Sequence, residues 1–167
     1  MKDCNKIPPA ILTHDMLKRA FLGVCPRSDE NSAKIEELHG KTLIGIFGAK
    51  EESDEIYFVC SDGTVFKLYH EQECCEDVLV EDITGVPERL LNTPITLAED
   101  ISSTFEDPYP EADGFWDDSH TWTWYKLATI KGYVTIRWYG ESNGYYSEGV
   151  DMVKMTAGEI TERLNRW

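Results

Sequence analysis

Asp62-Gly63, Lys131-Gly132 and Asn143-Gly144 each interrupt a run of β-branched and aromatic residues. Glycine in such pairs accepts the positive φ angles of a tight turn, and Asn-Gly and Asp-Gly are the strongest short-range hairpin signals. Connections this short cannot carry a parallel crossover, so the strands they join must pair antiparallel. No other feature of the chain narrows its fold as much. In "DEIYFVCSDGTVFKLYH", Ile56, Phe58 and Cys60 alternate with Tyr57 and Val59, as the two sides of a strand do. "KTLIGIFG", "EDVLVEDITG" and "TPITLAEDIS" add three strands, and "HTWTWYKLATIKGYVTIRWYGESNGYYSEGVDMVKM" reads as three more, consecutive and turn-linked. Trp122, Trp124, Ala128 and Ile130 then share one face of their strand, and Val134, Ile136 and Trp138 one face of the next.

Helical signals lie mainly at the two ends. "THDMLKRAFLGV" spaces Met16, Leu17, Ala20 and Phe21 helically, with Thr13 as N-cap and Gly23 at the end. "TAGEITERLNRW" carries a capping box, Thr156 with Glu159 at N3, and Ile160 and Leu164 lie one turn apart. "SAKIEELHG" and "VPERLLN" predict two shorter turns of helix. The expected fold is therefore α+β: a twisted antiparallel sheet of about eight strands with N-terminal and C-terminal helices. Residues 1–40 read as a helical appendage and residues 41–167 as the β-rich domain. Residues 103–119, with two prolines, a glycine and many acids, read as a long exposed loop.

Charge narrows the partners. The 167 residues carry a formal charge of −15. Fifteen of the thirty-one acids fall between residues 71 and 118, with Arg89 the only base there, so this stretch alone holds −14. Direct nucleic-acid binding needs clustered Lys and Arg to displace counterions, and is not expected. A basic protein partner is favoured. Strand-borne carboxylates at alternate positions lie about 6.5–7 Å apart, comparable to the spacing of DNA phosphates, so a rigid acidic sheet can imitate the duplex. The residues assigned to such a contact are Glu76, Asp77, Glu81 and Asp82, and the loop acids Glu106, Asp107, Glu111, Asp113, Asp117 and Asp118. Against this stands a plain solvated face, since high charge also keeps a protein soluble.

"YHEQECCED" is the most chemically loaded stretch. His70, Cys74 and Cys75 could ligate a soft metal, with His120 or Glu76 as a fourth ligand. Adjacent cysteines in an extended segment point to opposite faces, however, which works against a shared ion. The surrounding acids oppose thiolate formation, which works against a nucleophilic cysteine. A vicinal Cys74–Cys75 disulfide would be strained and is not expected in a reducing compartment. The simpler reading is a loop with one cysteine tucked inward. Asp117, Asp118 and His120 could hold a divalent cation or simply sit in water. A third constellation is a set of rings, Trp122, Trp124, Trp138 and Tyr139, that could stack a planar ligand, or a pocket of Trp122, Trp124, Trp138, Asn143 and Tyr145, with His70 or Asn143 orienting a nucleotide-like molecule; aromatic strands more often serve as plain core. No glycine-rich phosphate loop, G-x-S-x-G elbow or H-E-x-x-H occurs, so no cofactor is expected. Five cysteines without C-x-x-C spacing fit reduced thiols. No apolar run is long enough for a membrane span, and the N-terminus does not read as a secretory signal; the expected compartment is the cytoplasm of a bacterial host.

The segments "DGTVFKLYHEQECCEDVLVEDITG", "LLNTPITLAED" and "TWTWYKLATIKGYVTIRWYGESNGYYSEGV" resemble a family of uncharacterised small proteins of bacteriophages and bacteria, a domain of unknown function, over residues 41 to about 153. No catalytic residue is carried over by the resemblance. It implies a phage-associated setting and, with the acidity, an inhibitor of a host defence protein that handles nucleic acid. The expectation is thus a non-enzymatic interaction protein binding a basic host protein. The alternatives are a small-molecule-binding domain and a metal- or thiol-dependent enzyme on His70, Cys74 and Cys75.

Overall fold

Each of the three turn pairs bends the chain, but they do not all close hairpins. The computed structural model describes residues 7–25, 30–106 and 119–166, with the backbone alone at 105 and 106. Eight strands form: β1 (Leu43–Phe47), β2 (Glu55–Cys60), β3 (Thr64–Tyr69), β4 (Glu76–Gly85), β5 (Leu97–Glu106), β6 (Ser119–Thr129), β7 (Gly132–Ser142) and β8 (Asp151–Thr156). Helices α1 (His14–Ala20) and α2 (Ala157–Leu164) lie towards the two ends of the chain. The strands divide into two antiparallel four-stranded sheets, ordered β1-β2-β3-β8 and β4-β7-β6-β5. The α+β class and the strand number agree with the sequence; the division into two sheets was not legible there.

Asp62-Gly63 closes the β2–β3 hairpin, with Gly63 at φ 88° and the Asp62 Oδ1 accepting from the Thr64 amide at 2.9 Å. Lys131-Gly132 closes β6–β7. Asn143-Gly144 differs. It turns the chain at the end of β7, but β8 pairs with β3 in the other sheet. Residues 143–150 are therefore a crossover between sheets. Turn chemistry is local, whereas the edge that receives the next strand is chosen by long-range packing.

The inner faces of the two sheets enclose the main core. Ile56, Phe58, Phe66, Leu68 and Met152 meet Val78, Val80, Leu127, Val134, Ile136 and Trp138. A second cluster covers the other side of the first sheet: Leu17, Ala20, Phe21 and Ile160 pack on Tyr57, Val59, Val65, Val153 and Met155. Burying each such side chain stabilises the fold by about 1.5–3 kcal/mol. The N-terminal segment thus shares a core with the strands rather than standing apart. Strand β2 is buried from Ile56 through Cys60 because both of its faces are covered.

The capping box on α2 is present, with Thr156 Oγ1 accepting from the Glu159 amide at 3.3 Å and the Thr156 amide donating to Glu159 Oε2 at 2.7 Å. The two shorter helical turns are 3-10 segments, Ile35–Leu38 and Pro87–Leu90. Strand β5 runs to Glu106, into the stretch expected as loop. No helix among the described residues is long and apolar enough to cross a membrane.

Candidate functional site

Register sorts the second sheet's residues into two faces. Opposite partners in an antiparallel pair point the same way, so the pairings of β4, β7, β6 and β5 define outward rows. Asp77, Glu141 and His120 make one row. Leu79, Tyr139, Trp122 and Ser103 make the next, then Asp82, Arg137, Trp124 and Ile101, then Thr84, Thr135, Lys126 and Glu99. A bulge between Val80 and Asp82 adds Glu81 to this face, where its Oε2 accepts from Arg137 Nε at 2.7 Å. Bulges re-aim side chains in this way.

Aromatic rings run across the middle of the grid. His120 stacks on Tyr139 with centroids 5.8 Å apart and planes 16° apart, and Trp122 lies 5.3 Å from Tyr139. The Tyr139 hydroxyl donates to Glu141 Oε2 at 2.9 Å and lies 2.7 Å from His120 Nδ1. Nδ1 is therefore the donor to the phenol oxygen. Burial, followed by the Glu141 carboxylate, pushes the Tyr139 hydroxyl up to about 12, so it stays protonated. Acids border the rings: Asp77 and Glu141 at one end, Glu81 and Asp82 beside Arg137. Among the described residues, the cations on this face are engaged, Arg137 with Glu81 and Lys126 with Glu99 at 3.9 Å.

The β3–β4 loop adjoins the first row. Glu76, the first residue of β4, turns inward, its side chain only 1% exposed. Its carboxylate accepts from the Glu73 amide, from the Cys74 amide at 3.1 Å, and faces His70 Nε2 at 3.3 Å. His70 Nδ1 donates to the Gly149 carbonyl at 2.7 Å, tying the loop to the β7–β8 crossover. Burial would raise the Glu76 carboxyl, but the two amides and the imidazole hold it below the usual carboxylate range. Glu76 is therefore a loop anchor, which corrects its assignment to a partner-binding surface. A second inward acid, Glu148, accepts from the Thr121 and Ser142 hydroxyls, each at 2.6 Å. Gly140 makes room for it: a Cβ there would lie 2.9 Å from that of Glu148.

Cys74 and Cys75 occupy a bend, and their sulfurs lie 2.8 Å apart on the surface. The extended geometry expected of them does not hold. His70 is committed to Glu76 and Gly149, and no group of three or more His, Cys, Asp or Glu among the described residues is arranged to hold a metal ion. A cleft of about 400 Å³ opens beside the loop, lined by Cys74, Cys75, Asp77, His120, Glu141 and Asn143 among others.

The other assigned residues separate. Asp77, Glu81 and Asp82 lie on the outer face; Glu106 ends β5; Asp107, Glu111, Asp113, Asp117 and Asp118 lie outside the described residues. Trp122 and Trp124 face outward, whereas Trp138 is 1% exposed in the core on the opposite face. Asn143 Oδ1 accepts from the Tyr145 amide at 3.1 Å, and Tyr145 stands 84% exposed on the crossover. These five do not line one pocket. Of the rings on this face, Tyr139 was grouped with the tryptophans in the sequence, whereas Arg137 and Glu141 were not singled out; their alternation with Trp138 and Ile136 was the available signal.

A family model described as a domain of unknown function, DUF7448, matches residues 36–152. No curated protein and no solved structure matches the chain.

Proposed function

The chain belongs to the DUF7448 family, and we propose that it is a non-enzymatic interaction protein whose second sheet binds a basic protein through its outer face. The observation that carries this reading is the grid itself: half-buried aromatic rings bordered by Asp77, Glu81, Asp82 and Glu141, with Arg137 and Lys126 already paired. Aromatic anchors ringed by polar groups are the usual make-up of a protein interface. The formal charge of −15 favours a cationic partner. Acids on a rigid sheet suit a surface that ordinarily grips a phosphate backbone, so the partner is a nucleic-acid-handling host protein. In a phage setting, occupying that surface would block a defence complex.

The test is capture of the partner from a bacterial lysate, followed by affinity measurement on the purified pair across ionic strength. Binding should weaken steeply with salt. An Asp77→Lys/Glu81→Lys/Asp82→Lys variant should abolish it. Affinity that ignores both salt and charge reversal would remove the proposal.

The stacked His120, Tyr139 and Trp122 favour a second reading, in which a planar, nucleoside-like molecule lies on the same face. A rise in Tm across a nucleoside and nucleotide panel would support it, and a flat panel would count against it.

A further inference from the structure

We propose that Cys74 and Cys75 form a redox-active vicinal dithiol that closes to an intramolecular disulfide by exchange with a small-molecule disulfide. Three observations lead there, none of which depends on the binding face.

The first is approach. Neighbouring residues of an extended chain project to opposite sides, yet the bend at 74–75 brings the two sulfurs to 2.8 Å. The second is support. The bend is held from below by Glu76, which takes the Glu73 and Cys74 amides on its carboxylate and the Gln72 side-chain amide on its carbonyl. His70 then fastens Glu76 to the neighbouring crossover. The pair is thus mounted on a buried anchor, so the approach belongs to the fold. The third is access. Both thiols are exposed at the cleft, while Cys60 is fully buried and pushed up to about 12 by that burial, and Cys25 donates to Glu71 at 3.3 Å.

The exchange balances in two steps. One thiol loses its proton, and its sulfur attacks a disulfide RS–SR, forming a protein–SR mixed disulfide and releasing RS⁻, which takes up a proton. The second sulfur then attacks the protein sulfur of that mixed disulfide, closes the Cys74–Cys75 ring and releases the second RSH. The protein loses two electrons and two protons; the small disulfide gains them. The second step is intramolecular and gains from the held geometry. The first step is governed by thiolate supply. Contact with Cys74 and the Glu76 carboxylate push the Cys75 thiol up, so the step accelerates with pH. Asp77, Glu141 and His120 also border the cleft, and the Tyr146 hydroxyl lies against Cys74, so acids outnumber the one imidazole there. The co-substrate favoured is therefore a cationic or neutral disulfide rather than an anionic one.

The test uses the full chain, reduced, desalted and incubated without oxygen with either cystamine or glutathione disulfide. Alkylation, intact mass and peptide mapping follow. Wild type should lose two hydrogens with no adduct retained, and the map should join Cys74 to Cys75. Cystamine should react about tenfold faster than glutathione disulfide at low salt, a gap that narrows as salt is added. Cys74→Ser and Cys75→Ser, both at exposed positions, should each stop at the mixed disulfide. Wild type that also stops there, or that pairs either residue with Cys4, Cys25, Cys60 or a second molecule, would overturn the proposal.

Discussion

The two sheets have the same number of strands and the same antiparallel pairing, but they are buried differently. The first is covered on both faces, by the second sheet and by α1 with α2. Strand β2 accordingly reads as an unbroken apolar run from Ile56 to Cys60. Among the described residues, the second sheet is covered on one face. Strands β6 and β7 alternate strictly, with Tyr125, Leu127, Val134, Ile136 and Trp138 inward and Trp122, Trp124, Arg137 and Tyr139 outward. The first sheet spends its side chains on stability. The second keeps a row of large rings at its surface, where they add less to stability and are available for contact. Function is therefore better sought on the second sheet.

The largest effect tests that contrast directly. Phe58→Ala, in the fully buried strand, should cost about 3–5 kcal/mol. Trp124→Ala, on the outer face, should cost about 1 kcal/mol despite removing a larger side chain. Urea unfolding of both variants measures the difference; equal costs would make the outer face a second core and break the comparison.

Of intermediate size is Glu76→Gln, which should cost about 1–3 kcal/mol at neutral pH by weakening the bonds to two amides and a histidine. The Glu76 carboxyl is held below its unfolded value, so its contribution is complete above the ordinary carboxylate range and is lost as pH falls through the folded pKa. The gap between wild type and variant should thus close in acid, as followed by thermal melts from pH 7 downward. A gap independent of pH would mean that Glu76 acts through packing alone.

The smallest effect sharpens the comparison. Arg137→Ala removes an exposed pair with Glu81 and should change stability by about 0–1 kcal/mol. On the binding side it should do more, since Glu81 and Asp82 lose their neutralising neighbour. Affinity for the proposed basic partner should rise at low salt and converge with wild type at high salt.

Much that depends on neighbours in sequence was legible from the chain alone. "EDVLVEDITG" coincides with β4, and the Thr156–Glu159 capping box and the Asp62-Gly63 hairpin stand where the residues predicted them. These features are set within a few residues by alternation, hydrogen-bonding side chains and φ preferences. Tertiary structure decided the rest: eight strands split into two sheets, Asn143-Gly144 opens a crossover, Glu76 points inward while Asp77 points out, and a bend brings two cysteines together. In each case the outcome rests on which distant edge a strand joins and in what register. A one-residue shift in register would exchange every inward side chain for an outward one, and burial across the whole molecule, rather than any local preference, selects between them.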